Sequence, residues 1–184
     1  IIPRNKIPQL LGCGIFMWKY DAGCGILFPS NDRRRVMTKI LFVCHGNICR
    51  SPMAEFIMKQ MVSERGLEDS FYIESTATST EEIGNSVYPP VKNLLWSRGI
   101  DCSKKRARRI TDSDYESFDY IICMDSNNLR NLNRMFPQDK GAKISKLLDF
   151  TLTPHDVADP WYTGDFEATY RDVLQGCSHI LSNN

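Results

Sequence analysis

Cys44-His45-Gly46-Asn47-Ile48-Cys49-Arg50-Ser51 sets a cysteine, five residues and an arginine in one short stretch. It follows the apolar run Ile40-Leu41-Phe42-Val43 and leads straight into Pro52-Met53-Ala54-Glu55. That pattern predicts a buried strand, a tight loop and a helix. A loop of this length can curl until successive backbone N–H groups point inward, making an anion-binding nest at a helix N-terminus. The field that holds a phosphate also favours a thiolate, which makes Cys44 a nucleophile at neutral pH. Arg50 offers a planar fork of donors that grips two phosphate oxygens at once. The chemistry suited to these residue types is transfer of a phosphoryl group to sulfur.

A cysteine closing a buried strand is ordinarily a small hydrophobe, so the neighbours decide. Gly46 removes a side chain where backbone must approach a ligand, and Asn47 tolerates left-handed backbone angles. Ser51 reads as the N-cap of the helix, with a hydroxyl that can also donate to the sulfur, and Pro52 suits the first helical position. The full capping box is absent, because Ala54 stands where it would need a Glu. His45, Gly46, Asn47, Ile48, Cys49 and Ser51 are the expected phosphate-binding positions. A thiol nucleophile also needs a proton donor for the leaving oxygen. Asp159-Pro160-Trp161-Tyr162 supplies a carboxyl, a proline that stiffens the loop, and two aromatics that can flank a flat substrate ring. Alone this tetrapeptide is an ordinary surface turn; beside the Cys44 loop it becomes specific.

The elements that must position these residues alternate strand and helix. Lys39–Val43 reads as the first strand, and Pro52–Arg65 as an amphipathic helix carrying Met53, Phe56, Ile57 and Met61 that Gly66 ends. Phe71–Ser75 is the second strand. Pro89-Pro90 opens a helix through Val91, Leu94 and Leu95 that stops at Gly99. Asp119–Met124 is a buried third strand, followed by a helix over Ser126–Met135, and Lys143–Lys146 is a short fourth strand. Asp165–Ser182 is the most regular helix, with Phe166, Tyr170, Val173, Leu174, Cys177, Ile180 and Leu181 at helical spacing. The order implies a three-layer α/β fold: a four-stranded parallel sheet, helices on both faces, and the phosphate loop after the first strand. Ligands in such sheets sit at the carboxyl ends of the strands, where the Cys44 loop falls.

Composition agrees with one compact domain: 184 residues, 42% of them hydrophobic. Residues 1–36 look foreign to the rest. They hold Gly12, Gly14, Gly23 and Gly25 without clear periodicity and end in a polar, basic run from Asn31 to Arg35. Arg4 and Lys6 before the apolar Leu10–Trp18 faintly suggest a signal peptide, but the run is short and interrupted. This segment is expected to be a non-native or disordered extension, with residues 37–184 forming the domain. It carries six of the 23 Lys and Arg and two of the 22 Asp and Glu, which leaves the domain at net −3. That balance gives no support to a nucleic-acid partner. No apolar run approaches the roughly 18 residues that cross a bilayer. The seven cysteines and the dispersed His45, His155 and His179 form no metal-ligand pattern. Reduced thiols in a cytoplasmic protein are the simplest account.

From about Met37 onward the sequence resembles the low-molecular-weight protein tyrosine phosphatases. The resemblance rests on Val43–Pro52, Ser75-Thr76-Ala77-Thr78-Ser79, Phe118–Asp125 with Asn128-Leu129, and Asp159-Pro160-Trp161-Tyr162. It implies hydrolysis of phosphotyrosine in protein substrates through a phosphocysteine intermediate, without metal or cofactor, with inorganic phosphate as product and competitive ligand. It assigns Cys44 as nucleophile, Arg50 as phosphate clamp, and Asp159 as general acid and then base. Asn47, Ser51 and Ser75 would form the hydrogen-bond network that holds the loop.

Two positions depart from the family pattern. Glu81, with Glu82 beside it, stands where members often carry an aromatic at the cleft, and an acidic rim would favour basic neighbours of the phosphotyrosine. For Glu82 a solvated surface position is the simpler expectation. Arg98 precedes Gly99-Ile100, where the animal enzymes have a histidine tied to the loop network, and leaves the bracing on that side open. Three other functions compete for the same motif. Arsenate reductases share the fold, but their relay uses further cysteines, and Thr111–Asp125 holds only Cys123. Sugar-phosphotransferase subunits carry phosphate on cysteine without needing an acid such as Asp159. A redox-regulated phosphotyrosine-binding module would not need Cys44, Arg50 and Asp159 together. Cys49 beside Cys44 also raises a redox role, as a resolving thiol, against simple packing beneath the loop.

Overall fold

In the computed structural model, residues 37–139 and 141–182 are described, and the extension expected over residues 1–36 lies outside them. Strand β1 (Thr38–Cys44) alternates its side chains between two faces. Ile40, Phe42 and Cys44 enter one apolar cluster, Leu41 and Val43 another. A strand apolar on both faces must be covered on both, which places β1 inside the sheet. β2 (Phe71–Ala77) and β3 (Tyr120–Cys123) flank it in parallel, and β4 (Ile144–Lys146) pairs in parallel with β3. The order is β2-β1-β3-β4, the expected four-stranded parallel sheet.

On the Phe42 face, α1 (Arg50–Glu64) packs against α6 (Phe166–Ser182), with α2 (Pro89–Trp96) beside α6. On the Leu41 face, α3 (Asp112–Ser117) and α4 (Ser126–Met135) contribute Tyr115, Leu129 and Leu132. The polar α3 escapes a search for apolar periodicity. A capping box holds it: Thr111 Oγ1 accepts from Asp114 N (3.2 Å), and Asp114 Oδ2 accepts from Thr111 N (2.8 Å). In α6 the expected core stripe is right except at Leu174, which is 37% exposed because it lies about 100° round the helix from Val173. Gly176 instead makes the close approach: a Cβ there would overlap the Leu147 side chain, in the 3₁₀ turn Leu147–Phe150.

The register sets the site. Phe42 lies beside Ser75 and Cys44 beside Ala77, so the carboxyl ends of β1 and β2 arrive together. Beyond them, the N–H groups of Thr78 and Ser79 donate to the carbonyls of Cys44 and His45 at 2.9 and 3.0 Å. Val157 N donates to the Met124 carbonyl at 2.8 Å, bringing the segment before Asp159 to the end of β3.

Candidate active site

Cys44 closes β1 and Arg50 opens α1, two residues before the helix start expected from Pro52. Ser51 is therefore not the N-cap. That position belongs to Cys49, whose side chain makes no capping bond. Ser51 Oγ lies 3.1 Å from Cys44 Sγ, accepts from Asn47 Nδ2 at 2.9 Å and reaches the Thr76 carbonyl at 3.2 Å. The hydroxyl braces the loop and the sulfur, which leaves the first-turn N–H groups without a side-chain cap, as an anion site requires.

Asn47 is fully buried at φ 58°, and among the described residues it alone outside glycine has positive φ. That conformation costs about 1–2 kcal/mol in an L-residue, so it must be held. Asn47 Nδ2 donates to Ser51 Oγ and to Ser75 Oγ (2.8 Å), and Oδ1 accepts from Arg108 N (3.2 Å). With the turn so fixed, the Asn47 N–H donates to Cys44 Sγ at 3.3 Å. Ser75 Oγ in turn donates to Glu55 Oε2 at 2.6 Å. Glu55, on the inner side of α1, takes Lys59 at 2.5 Å and Lys105 at 2.7 Å. Lys105 also donates to the Ser75 carbonyl at 2.8 Å. A buried carboxylate is tolerable only when paired in this way.

Arg50, 4% exposed, divides its fork between two carboxylates: Nη1 to Asp125 Oδ2 and Nη2 to Asp159 Oδ2, each at 2.5 Å. Burial works against its charge, but Cys44, the Asp125 hydrogen bond and Asp159 together raise its pKa further, so it stays a guanidinium. Asp159 is three-quarters buried and caps α5 (Pro160–Thr163), accepting from Trp161 N at 3.1 Å. Cys44, Arg50 and Asp159 are thus brought together from β1, α1 and the loop before α6. Cys49 lies beneath them. Burial first, then the charges of Cys44 and Asp159, push its thiol up to about 12.

The remaining expected positions fall into two groups. Ile48 is half-buried and its carbonyl accepts from Tyr88 N at 2.9 Å; Gly46 lies under Glu82, whose Cγ would be 3.0 Å from a Cβ at that position. Ser75 and Ser51 are fully buried. His45 turns outward, with Nε2 3.1 Å from Glu81 Oε2 and both side chains exposed. Trp161 and Tyr162 are 62% and 86% exposed at the rim, where the Trp161 ring sits 5.6 Å from Tyr88.

One expectation is corrected, and one position left open is settled. Glu82 is no solvated surface charge: it is half-buried over Gly46, and its carboxylate accepts from Asn85 Nδ2 at 2.6 Å. Arg98 does not reach the loop network. It donates to both Glu167 oxygens (2.9 and 2.7 Å) and stacks 4.1 Å over the Tyr170 ring.

Against known proteins, residues 39–183 match the family model described as low molecular weight phosphotyrosine protein phosphatase. The rat protein of that name is 42% identical over 154 residues, covering 77% of this chain and 92% of its own length. The crystal structure of YfkJ from Bacillus subtilis superposes with a TM-score of 0.77 at 37% identity, over 81% of this chain and 95% of that one. A phosphatase of the same class from Streptococcus pyogenes gives a TM-score of 0.72 at 45% identity, over 79% and 92%.

The chain belongs to the low molecular weight phosphotyrosine protein phosphatases.

Four residues of this phosphatase's site escaped the sequence reading. Asp125 follows a buried strand at its carboxyl end, a place where ligands gather, and it also caps α4: Oδ1 accepts from Asn128 N at 2.6 Å. Glu55 left a signal, a charge among the apolar Met53, Ala54, Ile57 and Met58. Lys105 and Arg108 sit in the run Lys104–Arg109, which reads as a solvated charge cluster. Among the described residues no cluster of three or more His, Cys, Asp or Glu could hold a metal ion, and no helix is long and apolar enough to cross a membrane.

Proposed function

We propose that the chain hydrolyses phosphotyrosine in protein substrates through a phosphocysteine intermediate, with Cys44, Arg50 and Asp159 in the roles named above. Cys44 Sγ attacks phosphorus in line, the bond to the aryl oxygen breaks, and Asp159 gives that oxygen its proton. The Asp159 carboxylate then takes a proton from a water that attacks phosphorus. The S–P bond breaks, and inorganic phosphate leaves. The guanidinium of Arg50 and the loop N–H groups hold the equatorial oxygens as charge builds on them. Trp161 and Tyr162 flank the substrate ring.

The observation that carries this reading is the buried Arg50 fork, linked at 2.5 Å to Asp159 and charge-coupled to Cys44. That link supports a common site for Cys44, Arg50 and Asp159. Arsenate reduction is not favoured: its relay uses further cysteines, and Thr111–Asp125 offers only Cys123, fully buried inside β3. The five described cysteines are free thiols, which suits a reducing, cytoplasmic setting. Within the loop, Cys49 is proposed to trap a Cys44 sulfenic acid formed by peroxide as a disulfide, with loss of water.

Hydrolysis of p-nitrophenyl phosphate by wild type and Cys44→Ser tests the core of this. The expected result is wild-type turnover, competitively inhibited by inorganic phosphate, and a loss of at least about 10⁴-fold in the variant. Turnover by Cys44→Ser near that of wild type contradicts it.

A further inference from the structure

The loop that delivers Asp159 has its own attachment to α6. Ala158, the residue just before Asp159, has both of its backbone groups held by that helix. Its N–H donates to Asp172 Oδ2 at 3.0 Å, and its carbonyl accepts from Thr169 Oγ1 at 2.9 Å. Thr169 and Asp172 lie three apart on α6 and so share one face. Thr169 is fully buried, and its hydroxyl also reaches the Asp165 carbonyl at 3.4 Å. The Asp172 side chain is 20% exposed, and its second oxygen lies 3.4 Å from His155 Nε2, further back along the same loop. One residue earlier, Val157 is buried and bonded to Met124 at the end of β3.

These contacts fix the peptide groups on both sides of Ala158, the residue directly before Asp159. Beyond Asp159 the restraint is weaker: α5 is a four-residue turn with both aromatics exposed. The backbone position of the acid is then set from its N-terminal side, while its carboxylate meets Arg50 and Trp161 N. General-acid transfer needs the carboxyl within hydrogen-bond reach of the leaving oxygen, and a misplacement of about 1 Å can cost 10²-fold.

We infer that Asp172, with Thr169, is a positioning residue for the general acid: by clamping the Ala158 peptide it sets where Asp159 stands above the phosphate loop. Asp172 does not touch substrate and acts only through Asp159. The inference rests on the proposed role of Asp159. A structural residue would lower activity on every substrate alike. A residue acting through the acid lowers only the reactions that need the acid.

The test compares kcat/KM on phenyl phosphate, whose leaving group needs a proton, with that on p-nitrophenyl phosphate, whose leaving group departs without one. For kcat/KM the step reported is transfer to sulfur, before the shared intermediate is hydrolysed. Asp172→Ala is expected to lose about tenfold on phenyl phosphate and less than about twofold on p-nitrophenyl phosphate, which serves as the control for folding. Asp172→Asn keeps an oxygen for the Ala158 N–H and is expected to restore most of the loss. In an Asp159→Ala background, Asp172→Ala is expected to cost nothing further on phenyl phosphate. Should Asp172→Ala fail to fold, Thr169→Ala removes the opposite bond and must give the same split. Equal losses on the two substrates, no loss on either, or a full additional loss on top of Asp159→Ala overturns the inference. If Asp159→Ala itself shows no split, the assignment of the acid has failed; a split there without one in Asp172→Ala removes only the clamp.

Discussion

The phosphate loop and the acid loop meet at Arg50, yet they are held by opposite means. The phosphate loop is braced from within by buried side chains, running from Asn47 through Ser51 and Ser75 to Glu55 and Lys105. The acid loop is held through its backbone at Val157 and Ala158, while Trp161 and Tyr162 lie open to solvent. Breaking one link of a buried network leaves charges and donors unpaired in a low dielectric, where they are costly. Loosening an exposed loop leaves water to take the place of each lost partner. A rigid cradle for the phosphate with a more adjustable arm for the proton follows from that difference.

The comparison predicts its largest effect at Glu55. Glu55→Ala leaves the Lys105 ammonium, 11% exposed, without its carboxylate, and is expected to cost about 3–5 kcal/mol of stability. Asp156 ties the acid loop to Lys146 and Ser126 from a side chain 42% exposed. Asp156→Ala is expected to cost less than about 1 kcal/mol. Urea unfolding of the two variants measures both, and similar losses would erase the contrast between the loops.

At the junction itself, Arg50→Lys keeps the charge and loses the fork. If two-pronged geometry matters, it should be nearly as damaging as Arg50→Ala, with both losing about 10²–10³ in kcat. Lysine activity close to wild type would reduce Arg50 to a point charge.

Asp159→Ala comes next. It is expected to lose roughly 100-fold in kcat/KM on phenyl phosphate and far less on p-nitrophenyl phosphate. Because the same carboxyl is the proposed base for water, the variant should also release a burst of p-nitrophenol before slow turnover. Equal losses on both substrates without a burst would remove Asp159 from both steps.

How much of this was legible in the sequence follows the same division. Strand, loop and nucleophile are contiguous, so the apolar run before Cys44 and the arginine after it announce the cradle. In the brace, Asn47, Ser51 and Ser75 come through the family resemblance, while Glu55 and Lys105 do not announce themselves, because the brace's members are scattered over the loop, α1, β2 and the stretch before α3. Asn47 and Ser75, for instance, stand 28 positions apart. Lys105 looks like one more charge in a basic run, and only the fold shows it pointing at Glu55. Ser51 was read as a cap because Ser before Pro usually is one, but a hydroxyl beside a sulfur had the better partner. Asp159 entered through the family resemblance, since an Asp-Pro turn carries little physical signal alone. The capping box at Thr111 and Asp114 was there to be read, and a search for apolar periodicity passed over it.

The smallest expected effect concerns Cys49. With its thiol pushed up to about 12, Cys49 stays protonated at neutral pH, so brief iodoacetamide treatment should modify Cys44 and spare Cys49. After a peroxide pulse and dithiothreitol, wild type should recover and Cys49→Ser should recover markedly less. Full recovery of the variant would make Cys49 a packing residue only.

The central claim is that the phosphoryl group passes through the Cys44 sulfur, and trapping it there is the most direct test. Asp159→Ala, slow to hydrolyse the intermediate, would be mixed with p-nitrophenyl phosphate, quenched rapidly within the burst and digested for mass spectrometry. The account predicts one phosphoryl group on the peptide carrying Cys44, and none when Cys44→Ser is added. A phosphoryl group on another residue, or a burst with no phosphorylated enzyme at all, would contradict it.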